Sequence, residues 1–165
     1  MTVREFITAP TYLRDKRDEV WQRLLAVEAR LTKTTTQLTG MPHGGGSDRH
    51  ALLAKASDLH DAYEMLGTLM SRVRMVLWLY IGEVPFLTER ERSVLEQRYH
   101  SGKPWKAVLE YLHEDEPELS ERQMYRSHLD AIRKCEEFGI PEQFHPEIIA
   151  EYLLEGDFYD EKRDP

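Results

Sequence analysis

The segment from Ser120 to Lys134 carries side chains that are well suited to bind a polyanion. It reads SERQMYRSHLDAIRK, with three arginines and one lysine against one glutamate and one aspartate. Arginine can grip guanine through two parallel hydrogen bonds, and glutamine can grip adenine in the same way. Because the whole chain has a formal net charge of -8, such a segment predicts a local contact with DNA rather than a general attraction to it.

The spacing within this segment predicts a helix with one buried and one exposed face. Ser120 followed by Gln123 forms a capping box, which is typical of a helix N-terminus. An apolar stripe with steps of four and three residues is formed by Met124, His128, Ala131 and Cys135, with Leu129 and Ile132 beside it. The stripe is expected to pack against five apolar residues upstream, namely Val94, Leu95, Val108, Leu109 and Leu112. The first turns then project outward, as those of a recognition helix do when they enter the major groove.

The candidate DNA-binding residues lie largely outside that stripe. They are Ser120, Glu121, Arg122, Gln123, Tyr125, Arg126, Arg133 and Lys134. The positive end of the helix dipole also favours a phosphate near the capped N-terminus. An amphipathic surface helix supported by charge pairs is the alternative reading of the same residues.

Two shorter helices are predicted just upstream. Thr88 with Glu91 makes another capping box, which opens a helix of about three turns. Gly102 and Pro104 end that helix and start the next one, because proline is favoured in a first turn. The segment Trp105–Leu112 is predicted as the second helix. Three short helices in this order suggest a helix-turn-helix, with the acidic loop HEDEPEL before its last helix.

The first half of the chain predicts two long helices with heptad-like apolar spacing. In the first helix the apolar series is Leu13, Val20, Leu24, Val27, Leu31 and Leu38. In the second helix, over about 48–81, it is Leu52, Ala56, Leu59, Tyr63, Leu66, Met70, Val73, Leu77 and Tyr80. The turn GMPHGGGSD separates them, and Ser47 or Asp48 is the predicted N-cap of the second helix. The seam could close a helical hairpin or join two chains in a homodimer. Trp21, Trp78 and Trp105 are expected to be core anchors.

No pattern in the sequence points to catalysis or to a bound metal or cofactor. Cys135 is the single cysteine and lacks a recognisable catalytic partner. A chain with one cysteine cannot form an internal disulfide, which fits a reducing compartment. His43, His50 and His60 do not have the spacing of a zinc site. The longest apolar run, MVLWLYIG, is too short to span a membrane, and no signal peptide is evident. We therefore expect a cytoplasmic protein that is not an enzyme and does not contact a membrane.

The segment LTERERSVLEQRYHSGKPWKAVLEYL, with LSERQMYRSHLDAIRKC after it, resembles region 4 of sigma-70-type factors. The matching positions are Leu87, Thr88, Glu91, Arg92, Tyr99, Gly102, Trp105, Ser120, Glu121 and Arg122. The helical front around LTGMPHGGGSD is similar to small phage-encoded transcriptional regulators of Gram-positive bacteria, the late-gene activator group. The resemblance covers about residues 12–136 and implies double-stranded promoter DNA as ligand and host RNA polymerase as a further partner. Sigma factors have a tight turn where this chain has the acidic loop.

The sequence as a whole predicts an all-α protein in three parts. These are a helical hairpin or coiled coil over 1–82, a sigma region 4-like helix-turn-helix over 83–137 and an acidic helix and tail over 138–165. The last 30 residues alone account for a net charge of -8. A phage or prophage transcriptional regulator is the function we expect. Two alternatives stay open: a coiled-coil module that contacts RNA polymerase or a sigma factor without binding DNA, and a small terminase subunit.

Overall fold

The computed structural model describes residues 1–37 and 46–144, with side chains described over 1–33 and 48–144, and is all-helical there. The five α-helices are α1 (Val3–Gln37), α2 (Gly46–Glu83), α3 (Glu89–Leu95), α4 (Trp105–Leu112) and α5 (Glu121–Phe138). A π-helical turn, Glu96–His100, extends α3, and a 3₁₀ turn, Glu142–Phe144, follows α5. The prediction of an all-α fold is confirmed. The turn at 38–45 and the predicted last helix at 146–154 lie outside the described residues.

Helix α1 begins ten residues before the predicted start at Leu13. The Thr2 backbone N–H donates to Glu5 Oε2 at 2.6 Å, and the Glu5 N–H donates to Thr2 Oγ1 at 3.2 Å. This is the reciprocal pattern of a capping box. Pro10 lies inside the helix, yet the side chains of Phe6 and Ile7 are fully buried. The packing of these side chains therefore stabilises the first turns by more than the loss of one backbone hydrogen bond at the proline destabilises them.

Helix α2 also begins earlier than predicted. It starts at Gly46, so Ser47 and Asp48 lie in its first turn and neither is the N-cap. The predicted seam of α2 includes buried side chains from Leu59 onward, with Leu66 and Leu77 among them. A helix that starts at glycine gains little from its first residue, so these buried side chains account for most of its stability.

Contacts between residues divide the chain into two compact units. The middle unit is Leu13–Leu69, and the terminal unit combines Met1–Tyr12 with the chain from Met70 onward. In the middle unit the rings of Trp21 and Tyr63 lie 5.2 Å apart, so α1 and α2 contact each other there. This division falls within α1 and α2, whereas the sequence places a domain boundary after residue 82.

An aromatic cluster explains why the terminal unit includes the start of α1. The centre of the Tyr80 ring of α2 lies 5.0 Å from that of Phe6, 6.0 Å from that of Phe138 and 5.4 Å from that of Phe144. The Tyr80 hydroxyl lies 3.2 Å from the Cys135 carbonyl oxygen and 3.0 Å from the Gly139 carbonyl oxygen. These contacts tie the end of α5 to residues far away in the sequence.

The helices α3, α4 and α5 enclose a second apolar core. Its buried members are Val94, Val108, Leu112, Leu119 and Met124, with Trp105, Leu109 and Tyr111 packed against them. The capping boxes predicted at Thr88 and Ser120 are both present. Gly102 has a φ of 70°, a backbone conformation that glycine adopts without steric cost. The predicted order of three short helices, with a core between them, is therefore confirmed.

Candidate nucleic-acid interface

The N-terminus of α5 is fixed by reciprocal hydrogen bonds. The Ser120 backbone N–H donates to Gln123 Oε1 at 2.8 Å, and the Gln123 N–H donates to Ser120 Oγ at 3.2 Å. The Ser120 hydroxyl also lies 2.9 Å from Gln123 Oε1. In this conformation the Gln123 oxygen is occupied by the cap. Only the amide N–H groups of Gln123 are left for a ligand, so the predicted two-bond grip on adenine requires another rotamer.

Beyond the cap, the first turns of α5 present an exposed polar face. An open concave surface along this face is lined by Glu121, Arg122, Gln123, Tyr125, Arg126 and Leu129. Arg122 and Arg126 are exposed and lie one turn apart on the same side of the helix. Neither forms an ion pair with any residue that the structure describes. Glu121 is exposed beside them and is the one acidic side chain of this surface.

Tyr125 is held against the body of the protein by tilted and edge-to-face contacts among aromatic rings. Its ring lies 5.0 Å from Trp105 of α4, and Trp105 lies 4.8 Å from the ring of His128. His128 Nε2 is hydrogen-bonded to the Tyr99 hydroxyl at 2.9 Å. Tyr125 is 37% exposed, so the aromatic contacts support its ring while part of the side chain remains open to solvent.

Burial determines the ionisation of His128. Loss of solvent, followed by the positive charges of Arg98 and Arg4, lowers its pKa from 6.5 to about 4. The ring is therefore neutral at physiological pH, and α5 carries no positive charge at this position. The apolar spacing places His128 on the inward stripe, and its half-buried position agrees with that placement.

Lys134 faces the interior of the terminal unit, unlike the arginines of the first turns. Its Nζ donates to the two carboxylate oxygens of Glu91 at 2.9 and 2.7 Å and to the Phe86 carbonyl oxygen at 2.8 Å. A lysine ammonium has three N–H donors, and these three contacts use all of them. A DNA phosphate would have to displace them, so Lys134 is not part of the interface proposed below.

Glu91 is the buried partner of that lysine. Burial by itself raises the pKa of a carboxyl group, but hydrogen bonds from Lys134 and from the Thr88 backbone N–H outweigh it. The pKa of Glu91 is therefore below its ordinary value of 4.5. The Glu91 carboxylate is thus part of the capping box of α3 and also binds Lys134 in the last turns of α5.

Arg133 is exposed, as Arg122 and Arg126 are, but it has an ion-pair partner, as Lys134 has. Its side chain is exposed and one guanidinium nitrogen lies 3.5 Å from Asp130 Oδ1, an i,i+3 pair. Exposed pairs of this kind bind weakly, so Arg133 stays free to turn toward a phosphate. It continues the side of α5 on which Arg122 and Arg126 lie.

The acidic connector between α4 and α5 is ordered by contacts to its neighbours. Glu116 forms an ion pair and hydrogen bonds with Arg90 of α3, and His113 Nε2 lies 2.8 Å from the Leu119 carbonyl oxygen. Leu119 is buried in the core described above. Glu114, Asp115 and Glu118 remain exposed, so part of the negative charge that the sequence places before α5 stays in solvent.

The sequence pattern did not reveal the support that Trp105 gives to Tyr125 or the pairing of Lys134 with Glu91. It also placed Leu129 beside the buried stripe, whereas this side chain is 64% exposed. No group of three or more potential metal ligands comes together within 1–37 and 46–144. In that same part of the chain, no helix is long and apolar enough to cross a membrane.

Comparisons with protein-family models, with curated proteins and with solved structures found no match for this chain.

Proposed function

We propose that the protein is a DNA-binding transcriptional regulator whose α5 enters the major groove of promoter DNA. The observation that carries the proposal is the placement of Arg122 and Arg126. Both arginines project, without an ion-pair partner among the described residues, from the capped first half of a helix that rests on an apolar core. A recognition helix places its base-reading side chains in the same turns.

The other side chains of this half-helix fit supporting roles. Tyr125 and Arg133 can donate to phosphate oxygens on either side of the groove, which position the helix without reading sequence. Ser120 and Gln123 fix the start of α5. Glu121 either repels misplaced phosphates or accepts a hydrogen bond from the amino group of a cytosine. The likeness to sigma region 4 and to phage late-gene activators supports promoter DNA as the target. The proposal includes a cytoplasmic location and no catalytic activity.

The test begins with a randomised library of double-stranded DNA, bound to the full chain at two salt concentrations. An enriched sequence then serves as ligand for the variant Arg122→Ala plus Arg126→Ala. We expect each arginine to contribute about 1–3 kcal/mol of binding free energy, so the affinity falls by tenfold or more. The sequence preference of binding should also relax at the base pairs that the two arginines read.

A matched control removes two exposed arginines from the long helices, as Arg23→Ala plus Arg49→Ala. It changes the net charge equally but leaves α5 intact, so its DNA affinity should stay within about threefold of the wild type, the range of surface substitutions. Equal reductions in the two double variants would mean that charge alone drives binding. Unchanged affinity in both variants would show that α5 does not contact DNA.

A protein-interaction module that does not bind DNA is a second candidate, and the acidic connector favours it. Glu114, Asp115 and Glu118 are exposed just before α5, where they would repel DNA phosphates. This candidate predicts no enriched sequence and no salt-sensitive retention of the library. The small terminase subunit predicts instead a ring of many subunits, which sedimentation distinguishes from a monomer or dimer.

A further inference from the structure

The last turns of α2 expose an apolar face that the proposed DNA contact does not use. Met75 is 64% exposed, Trp78 is 51% exposed and Leu79 is 48% exposed. Together with the exposed Gly82 they follow the spacing i, i+3, i+4 and i+7, which places them on one side of the helix. Contiguous apolar side chains of this kind on a soluble protein mark an interaction surface.

This exposed face is distinct from the predicted heptad seam. The seam residues Val73, Leu77 and Tyr80 are buried, with relative exposures of 0–1%, so they are already used within a single chain. The exposed residues lie on the opposite side of the same turns. The sequence favours Trp78 as a core anchor, and its exposure corrects that expectation because the core side of α2 is filled by Leu77 and Tyr80.

Phe86 adds a second exposed aromatic side chain shortly after α2 ends. It is 88% exposed and has a φ of 63°, a left-handed conformation that is unfavourable for a side chain of this size. Its carbonyl oxygen accepts a hydrogen bond from Lys134. Strained residues persist where surrounding contacts fix them, and they concentrate at functional positions.

The charges beside the apolar face fit a second copy of the same face. Arg72 and Glu83 are separated by about three helical turns, so they project from the same edge of the face. When two such helices pack in antiparallel fashion around a two-fold axis, the same edges meet. Arg72 of each copy then lies opposite Glu83 of the other copy. Parallel packing would bring neither pair together.

The apolar residues fit the same arrangement. An antiparallel pair centred near Trp78 and Leu79 places Met75 of one copy opposite Gly82 of the other. A Cβ added to Gly82 would meet nothing within 4 Å, so space is available there for the methionine side chain. Charge pairing and side-chain size therefore select nearly the same register.

We propose that the face formed by Met75, Trp78, Leu79 and Gly82 joins two copies of the chain in an antiparallel homodimer. The proposal does not depend on DNA binding. If α5 does bind DNA, the dimer sets the spacing between two half-sites.

The first test is sedimentation equilibrium of the full chain without DNA, from about 1 to 100 µM, the range in which small interfaces associate. We expect a reversible monomer–dimer equilibrium in the wild type and at least a tenfold weaker association in Met75→Glu. The matched control is Met65→Glu, an exposed methionine on the same helix. It should leave the association constant unchanged, and circular dichroism checks that both variants stay helical.

The second test uses charge reversal, which perturbs the fold less. Arg72→Glu and Glu83→Arg should each weaken the dimer, and the double variant should restore it, because the two charges exchange places across the interface. Since Gln143 also bonds Glu83, Gln143→Ala controls for removal of that hydrogen bond. A wild type that stays monomeric at 100 µM overturns the proposal. Dimers insensitive to Met75→Glu, or single reversals not rescued by the double variant, also overturn it.

Discussion

The two ends of α5 differ in what their side chains contact. In its first turns Arg122 and Arg126 extend into solvent. In its last turns Lys134 is bonded to Glu91, and the carbonyl group of Cys135 accepts a hydrogen bond from Tyr80. The sequence pattern alone places Arg122, Arg126 and Lys134 in one set of DNA-binding residues.

This difference separates binding from stability along a single helix. The end that contacts Tyr80 and Glu91 holds α5 on the body of the protein. The end that begins at Ser120 presents its side chains outward from that support. Substitutions that remove the contacts with Tyr80 or Glu91 should therefore change the free energy of unfolding. Substitutions of Arg122 or Arg126 should change affinity without changing stability.

The largest effect is expected from Tyr80→Ala, which empties the centre of the aromatic cluster. Removing a buried aromatic side chain costs about 3–5 kcal/mol of stability, and urea unfolding measures it. Tyr80→Phe is the matched control, because it deletes only the hydroxyl that bonds the last turn of α5 and should cost about 1 kcal/mol. If the alanine variant lost no more stability than the phenylalanine variant, α5 would be anchored elsewhere.

A smaller effect is expected from Lys134→Met, compared with Arg133→Met one residue earlier. The lysine variant leaves the carboxylate of Glu91 buried without its cation and should lose about 1–3 kcal/mol. The arginine variant breaks one exposed pair with Asp130 and should change stability by less than about 0.5 kcal/mol. In DNA binding the order should reverse, with the larger reduction in affinity at Arg133. Equal changes in stability at both positions would show that the contact of Lys134 with Glu91 does not anchor this end of α5.

The stability difference between the wild type and Lys134→Met has a pH dependence of known sign. The pKa of Glu91 is lowered in the folded protein, so its contribution to stability is present above pH 4.5 and disappears as pH falls through the lowered pKa. The wild type should therefore lose its advantage over Lys134→Met on acidification below pH 4.5. A stability difference that stayed constant throughout this acidification would mean that the ion pair is not its source.

Local patterns in the sequence were sufficient to place most of the helices. The capping boxes at Thr88 and Ser120 depend on residues three positions apart, so their geometry is encoded within one turn. The start of α1 carries the same signal, with Glu5 three positions after Thr2, and was missed because heptad spacing begins only at Leu13. Proline is also unfavourable inside a helix, and the packing of the first turns of α1 outweighs this cost at Pro10.

Contacts between distant parts of the chain could not be predicted in this way. Lys134 and Glu91 are 43 residues apart, and nothing in the sequence of α5 distinguishes this lysine from a DNA-binding one. Trp21 and Trp78 are about half exposed, although their size favoured the core. Periodicity predicts which side of a helix is apolar, but the neighbours that cover or leave open each position are set by the whole fold.

The effect that is smallest at neutral pH concerns His128, which lies between the two ends of α5. Its pKa is lowered from 6.5 to about 4 in the folded protein because the ring is buried and lies near Arg98 and Arg4. The unfolded chain therefore binds a proton first as pH falls, and stability should decline between pH 6.5 and 4. Urea unfolding of the wild type and of His128→Gln across this window isolates the effect, since the other titrating groups cancel in the difference. Parallel stability curves would show that the ring is accessible to solvent, and the anchored part of α5 would then begin beyond His128, closer to Lys134.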